Sequence, residues 1–500
     1  MSLNVNICRL ASGVPGLDNL LGGGVPEFSV NLIAGTPGSG KTTLAHQIMF
    51  SLASPAYRAL VFTVVGEPAL KMLRYQQRFE YFDLEKVSRS IRFVNLSVDV
   101  LKGDLQRVLS RITEEVQDYS PSLILLDSLR SVMKIGDHRG QWVSKQQQFV
   151  QGLSMLSTSW QATTFLIGEY ELSEANASPI FAVVDGIIWL SQSLQRNSMV
   201  RKMQVVKMRG QAQATGLHTF RISQRGIHVF PRAIVKQGLT SDVGKQSGAS
   251  AERVSLGVPD LDDMLGGGLP IGYSLLVVGP SGSGKTILAT EFLAEGARRG
   301  EPGVIAAFEK SPSQIAGNEK LFAMIKAGHV GVIDTRSLDM SIDETLFDLI
   351  EMIKRMQAKR VVIDSLSGFE LALAPEFSED FRGSLYRIVA ELTGMGVTIL
   401  MTSEMEDRYT DLRFSPFGSA LLVDAIVMHR YVEMEGQLHR AVSVVKVRGS
   451  AHSKDIRLFD ITNDGIVIGP TLSRYTGILT GTPASIGRDT NFNALRHHES

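Results

Sequence analysis

Two tandem α/β domains, each a mainly parallel sheet flanked by helices, are what this sequence predicts. Three observations carry the expectation. The second half repeats landmarks of the first, each half alternates short apolar runs with longer amphipathic stretches, and each half carries one glycine-rich loop between an apolar run and a helical pattern. Alternation of this kind belongs to parallel sheets covered by helices on both faces.

The repeat is read directly. Gly13-Val-Pro-Gly-Leu-Asp18 returns as Gly257-Val-Pro-Asp-Leu-Asp262, and Leu21-Gly-Gly-Gly-Val-Pro26 returns as Leu265-Gly-Gly-Gly-Leu-Pro270. A period of about 240 residues is too long for a solenoid and marks a duplicated domain. In order along the first copy, residues 30–33, 60–64, 91–94, 123–126, 164–167 and 186–190 read as buried strands. In the second, residues 275–278, 304–307, 330–333, 361–363, 398–401 and 425–428 do. Helical patterns fill the gaps, as at 105–116 and 345–356. The domains are placed at 1–235 and 253–470. Between them, 236–252 reads as a polar, Gly/Ser-rich linker, and 471–500 as a tail.

Composition narrows the function. Of 500 residues, 44% are hydrophobic and 20% charged, which fits globular protein rather than disorder. Lys+Arg and Asp+Glu both number 51, so no global charge draws the chain to nucleic acid or an acidic membrane. A single cysteine, Cys8, excludes an internal disulfide and a cysteine-based zinc site. The N-terminal M-S-L-N-V-N-I-C-R-L lacks a sustained apolar run and a cleavage site, so no signal peptide is expected. No apolar run approaches the roughly 18 residues of a membrane span. A soluble, cytoplasmic protein is expected.

Gly35-Thr36-Pro37-Gly38-Ser39-Gly40-Lys41-Thr42 and Gly279-Pro280-Ser281-Gly282-Ser283-Gly284-Lys285-Thr286 both match the phosphate-loop pattern, with Thr43 and Ile287 following. Glycines let the backbone curl so that several N–H groups point at one phosphate chain, and the next helix adds its positive end. Lys41 and Lys285 are placed to neutralise the β- and γ-phosphates of ATP, and Thr42 and Thr286 to hold Mg²⁺. Asp127 and Asp364 end the apolar runs S-L-I-L-L-D and R-V-V-I-D. At the carboxyl end of a parallel strand, Asp sits beside the phosphate loop and orients a metal-bound water.

A nucleotidase also needs a carboxylate to orient the attacking water. Glu309 stands at its strand's end in A-F-E-K-S and is also counted with Thr286 and Asp364 as a metal-binding candidate. Glu67, in V-V-G-E-P, is displaced along the chain. Lys207-Met-Arg209-Gly210 and Lys446-Val-Arg448-Gly449 recur at one place in both copies. Residues i and i+2 of a strand share a face, so each pair projects as a two-pronged cation, the chemistry of an arginine finger.

With these parts the chain resembles the RecA-like ATPases and, within them, the tandem-domain KaiC family of bacterial clock and clock-like proteins, over residues 12–483. The resemblance implies two tandem RecA-like P-loop NTPase domains assembled as a double-ring homohexamer, with ATP at subunit interfaces and each K-x-R pair reaching across from a neighbour. It also implies nucleotide contacts by Phe322, Arg440, Ser450, His452 and Lys454. The sequence departs from the family in places. The paired Glu after the strand is missing from the first copy, and the second keeps only Glu309. Gln211 and Gln213 replace a Thr and a His. The clock phospho-acceptors fall on Ala420 and Leu421, which have no hydroxyl; Ser419 is one residue away.

The function expected is an oligomeric ATPase whose nucleotide state drives a shape change read by an unidentified signalling protein. Three alternatives stay open: a clock-type serine/threonine autokinase, a DNA-dependent ATPase on the same core, and a scaffold that binds ATP without turnover.

Overall fold

The structure is a computed structural model. It describes residues 8–64, 69–134, 142–174, 178–195, 198–232, 252–308, 318–333, 341–373, 381–405, 421–434, 436–463, 465–473, 475–478 and 484–485. The chain separates into two compact units, Met1–Arg232 and Ala233–Ser500.

Each unit is built on one nine-stranded sheet. Across the first, the order is Gly226–Phe230, His218–Ser223, Ser198–Met208, Gly186–Gln195, Val30–Gly35, Thr163–Glu169, Leu123–Asp127, Ala59–Thr63, Ile91–Asn95. The six strands from Gly186–Gln195 to Ile91–Asn95 run parallel, and the other three add on antiparallel. The second sheet repeats this order with Ser274–Gly279 in the place of Val30–Gly35. The sheets are therefore mainly parallel, as expected, with an antiparallel extension that the apolar runs did not announce.

The parallel strands are continuous apolar runs because both faces are covered. In Val30–Gly35, Val30, Leu32 and Ala34 face a core with Val108, Ile112 and Val116 from the helix Leu105–Tyr119. Ile33 points the other way, into a core with Leu44 and Ile48 of the helix Lys41–Leu52. The i, i+4 stripe of Val108, Ile112 and Val116 is what an amphipathic helix presents to a sheet. The central strand of each sheet is thus fixed on both sides, and the glycine-rich loop leaves its carboxyl end, where α/β sheets bind ligands. Among the described residues, no helix is long and apolar enough to cross a membrane.

Candidate nucleotide site

The loop is shaped by residues in left-handed backbone. Gly38 and Gly40 have φ of 73° and 102°, Gly282 and Gly284 of 75° and 90°. A side chain at any of the four is strained. The helices Lys41–Leu52 and Lys285–Arg298 start directly after, so their first amides face the loop.

Thr42 Oγ1 donates to Asp127 Oδ2 at 2.9 Å, and Thr286 Oγ1 donates to Asp364 Oδ2 at 2.9 Å. The sequence-distant hydroxyl and carboxylate thus meet in both units. The second unit adds Thr402 Oγ1, which donates to Asp364 Oδ1 at 2.5 Å. The peptide bonds after both aspartates are cis. Lys41 donates to its own loop at Thr36 O (2.7 Å), and Lys285 to Gly279 O and Pro280 O (both 2.8 Å). Burial lowers the Lys41 pKa, while the negative charges of Glu169 and Asp127 oppose that shift. The loop's buried Thr36, Ser39 and Ser283 hydroxyl oxygens have no hydrogen-bond partner. Orphaned polar atoms in a glycine cradle, beside a lysine and a Thr–Asp pair, fit a magnesium-bound triphosphate.

The first loop opens on a cleft of about 440 Å³ lined by Gly38, Lys41, Thr42, Asp127, Ser131 and Glu169, among others. Glu169 is a carboxylate that the sequence reading missed. It ends the strand Thr163–Glu169 directly beside Gly35, and Arg130 holds its main-chain oxygen while pairing with Glu174 at 2.6 Å. Glu404 stands in the same register beside Gly279. The signal was a final Glu in both T-T-F-L-I-G-E and T-I-L-M-T-S-E. Glu309 and Glu67 lie outside the described residues. Just before Glu309, the Phe308 amide donates to Asp364 O at 2.9 Å, as the Val64 amide does to Asp127 O.

The loops are also held from the neighbouring strand. Gln192 Nε2 donates to Pro37 O at 3.0 Å, and Tyr431 donates to Ser281 O at 3.3 Å. His429 Nδ1 lies 2.9 Å from Ser283 O, and burial lowers its pKa to about 4, so the neutral ring donates to that carbonyl. Leu190 takes its place in the first unit.

The K-x-R pairs stand elsewhere. Lys207 is opposite Ile187 and Lys446 opposite Ile426, close to where the central strands begin. The phosphate loops leave the other ends of these six-residue strands, about 10 Å along the strand from the level of the lysines and about 17 Å from that of the arginines. Lys207 donates to Val184 O at 2.6 Å and Ala182 O at 3.1 Å. The Lys207 and Lys446 pKa values are lowered by burial first and then by Arg209 and Arg448. Both arginines keep 58% of the side chain exposed. The pairs therefore do not meet the phosphate loop of their own unit.

The set implied by resemblance divides the same way. Arg440 lies over the Tyr431 ring at the loop end of its strand. Ser450, His452 and Lys454 follow Arg448 at the other end. Arg253 donates to Ser450 Oγ and, at 2.7 Å, to Gly268 O. Phe322 is on the helix Glu319–Lys326, tied to the phosphate-loop helix by Asn318 Nδ2 donating to Thr290 Oγ1 at 3.1 Å, and is 48% exposed. The repeated L-G-G-G segment is structural. A Cβ on Gly22 would sit 2.0 Å from Ala212 O, just past the K-x-R-G turn, and Gln211 donates to Gly24 O at 2.9 Å. Gln211 thus locks this turn in the first unit, while Arg253 does so in the second.

Fold and site together define two tandem RecA-like P-loop NTPase domains. The family described as "ATPase: KaiC" matches residues 10–234 and 254–473, and the chain belongs to that family. It is 29% identical over 492 residues to a circadian clock protein KaiC3 of Synechocystis sp., covering 95% of this chain and 94% of that protein. It is 27% identical to the circadian clock oscillator protein KaiC of a Picosynechococcus sp., over 96% of this chain and 93% of the relative. The circadian clock oscillator protein KaiC 1 of Synechocystis sp. is likewise 27% identical over the same shares.

Proposed function

We propose that the chain is a self-assembling ATPase in which each unit binds ATP on its phosphate loop and receives the K-x-R pair of a neighbouring copy. The observation that carries this reading is the separation within each unit. The triphosphate cradle is at one end of the central strand, and exposed Arg209 or Arg448 is at the other. A complete site then needs two copies. Glycine-loop amides and Lys41 or Lys285 bind the phosphates, and Thr42 with Asp127, or Thr286 with Asp364, holds magnesium. Magnesium, when bound, neutralises charge on the β- and γ-phosphate oxygens. Glu309 orients the attacking water in the second unit. In the first, Glu67 is the candidate named by sequence and Glu169 the carboxylate that lines the cleft.

The assembly converts nucleotide state into a shape that a protein partner reads, by analogy with relatives named for the circadian clock. The autokinase reading is disfavoured by Ala420, outside the described residues, and by Leu421, which is 70% exposed but carries no hydroxyl.

Native mass with and without ATP, joined to phosphate release from Lys41→Ala, Lys285→Ala and double variants, tests the proposal. Each single variant should retain part of the turnover and the double variant none. Undiminished turnover in the double variant refutes it. Label from γ-labelled ATP on the protein would restore the autokinase reading, and stimulation by single-stranded DNA the DNA-dependent one. In the first unit, Glu169→Gln and Glu67→Gln, compared in the Lys285→Ala background, show which carboxylate serves as base.

A further inference from the structure

We propose that Asp185 and Asp424 are positioning residues that join the arginine of each K-x-R pair to the first residue of the phosphate-loop strand in the same unit, so that one nucleotide site is mechanically linked to the next. The linkage between sites rests on the trans reading above; the positioning of the arginine does not.

Each carboxylate divides its two oxygens. Asp424 Oδ1 accepts from Arg448 Nη1 at 3.4 Å, while Oδ2 accepts from the Ser274 amide at 3.1 Å and the Ser274 hydroxyl at 3.0 Å. Asp185 does the same. Its Oδ1 accepts from Arg209 Nη1 at 3.2 Å and its Oδ2 from the Val30 amide at 3.0 Å. The main chain doubles each link. The Asp424 amide donates to Ser274 O (3.0 Å) and the Arg448 amide to Asp424 O (2.8 Å). The Asp185 amide donates to Val30 O (2.8 Å) and the Arg209 amide to Asp185 O (3.0 Å).

The arrangement recurs although its surroundings differ, with Val30 facing Ser274 and Gly186 facing Ala425 in the comparison of the two copies. An ion pair with an exposed arginine contributes little stability. A carboxylate only 4% exposed, as Asp424 is, costs free energy to bury unless its oxygens are engaged. Its use therefore lies in where it holds the guanidinium. The strand it grips is the stiff centre of the sheet and ends in the phosphate loop. A push on the arginine by a neighbour's nucleotide is delivered along that strand to the chain's own cradle.

Asp424→Asn tests the arginine side selectively. The amide oxygen still accepts from Ser274, while the amide nitrogen, a donor, faces another donor on Arg448. In a Lys41→Ala background, where turnover reports the second unit, we expect Asp424→Asn to lower kcat about tenfold with KM for ATP within about twofold. On top of Arg448→Ala the same substitution should change kcat by less than about twofold. An equal fall with and without Arg448, or a rise in KM that accounts for the loss, overturns the positioning role. In mixed assemblies, Lys285→Ala subunits should rescue Arg448→Ala subunits, and Lys285→Ala/Asp424→Asn subunits should not. Rescue by both overturns the aspartate's part in presenting the arginine to the next site. Rescue by neither refutes the trans reading, and the double-substitution comparison still decides the aspartate's role. If Asp424→Asn fails to assemble by mass, Asp185→Asn in a Lys285→Ala background supports the same comparison with Arg209→Ala.

Discussion

The Thr286 hydroxyl donates a hydrogen bond to Asp364, and the two residues are far apart in sequence. That hydrogen bond joins the start of the phosphate-loop helix to the end of the strand Arg360–Asp364. Thr286→Ala should weaken magnesium-dependent ATP binding by about 10–100-fold, the cost of disturbing a metal's supporting shell. Calorimetric titration with and without magnesium measures it. His429 provides a pH test. Its folded pKa is about 4 against an ordinary 6.5, because burial disfavours the charged ring. The stabilisation is complete above pH 6.5 and is lost as the pH falls through 4. Between pH 7 and pH 5 this one group should remove about 2 kcal/mol from the stability of its unit. His429→Leu, which copies Leu190, should abolish that share of the slope in urea unfolding at the two pH values. The phosphate loop, Thr286 and Asp364 were legible in the sequence because their chemistry depends on local spacing and strand ends. Glu169, Glu404 and His429 were not, because their positions come from register between strands distant in the chain.

At the scale of elements, the helix Ile342–Met356 begins with Ser341, whose Oγ accepts from the Glu344 amide at 3.1 Å. The S-x-x-E spacing is a capping box, followed by the buried stripe of Leu346, Leu349 and Ile353. Ser341→Ala should cost about 1 kcal/mol, read from chemical denaturation of the second unit. The parallel strands were legible for a similar reason. Burial on both faces writes an unbroken apolar run, as in L-I-L-L or V-V-I. The strands His218–Ser223 and Ile456–Thr462 escaped notice because they extend the sheet antiparallel. Polar residues such as Arg221 and Asp460 interrupt their apolar alternation, and that mixture resembles loop.

For the whole molecule, two compact units with one phosphate loop each predict separable ligand effects. Saturating ATP at about a hundredfold over Kd should stabilise a binding unit by about 2.7 kcal/mol. In thermal unfolding, Lys41→Ala should cancel the shift of one transition and Lys285→Ala that of the other. A shift that survives both substitutions would mean that ATP binds somewhere else. The duplication was legible from the recurring G-V-P-x-L-D and L-G-G-G segments. The opposed placement of loop and cation pair was not, since it depends on which end of a central strand each element reaches.

That opposition sets the symmetry of any assembly built on it. A copy that offers cations at one end of its central strand and a cradle at the other can join its neighbours head to tail, each cation pair filling the next copy's cradle. An open row of such copies leaves one cradle of each unit without its arginine, and closure into a circle removes the defect. Total activity should therefore fall on dilution more steeply than protein concentration does, as circles break into rows and rows into single copies.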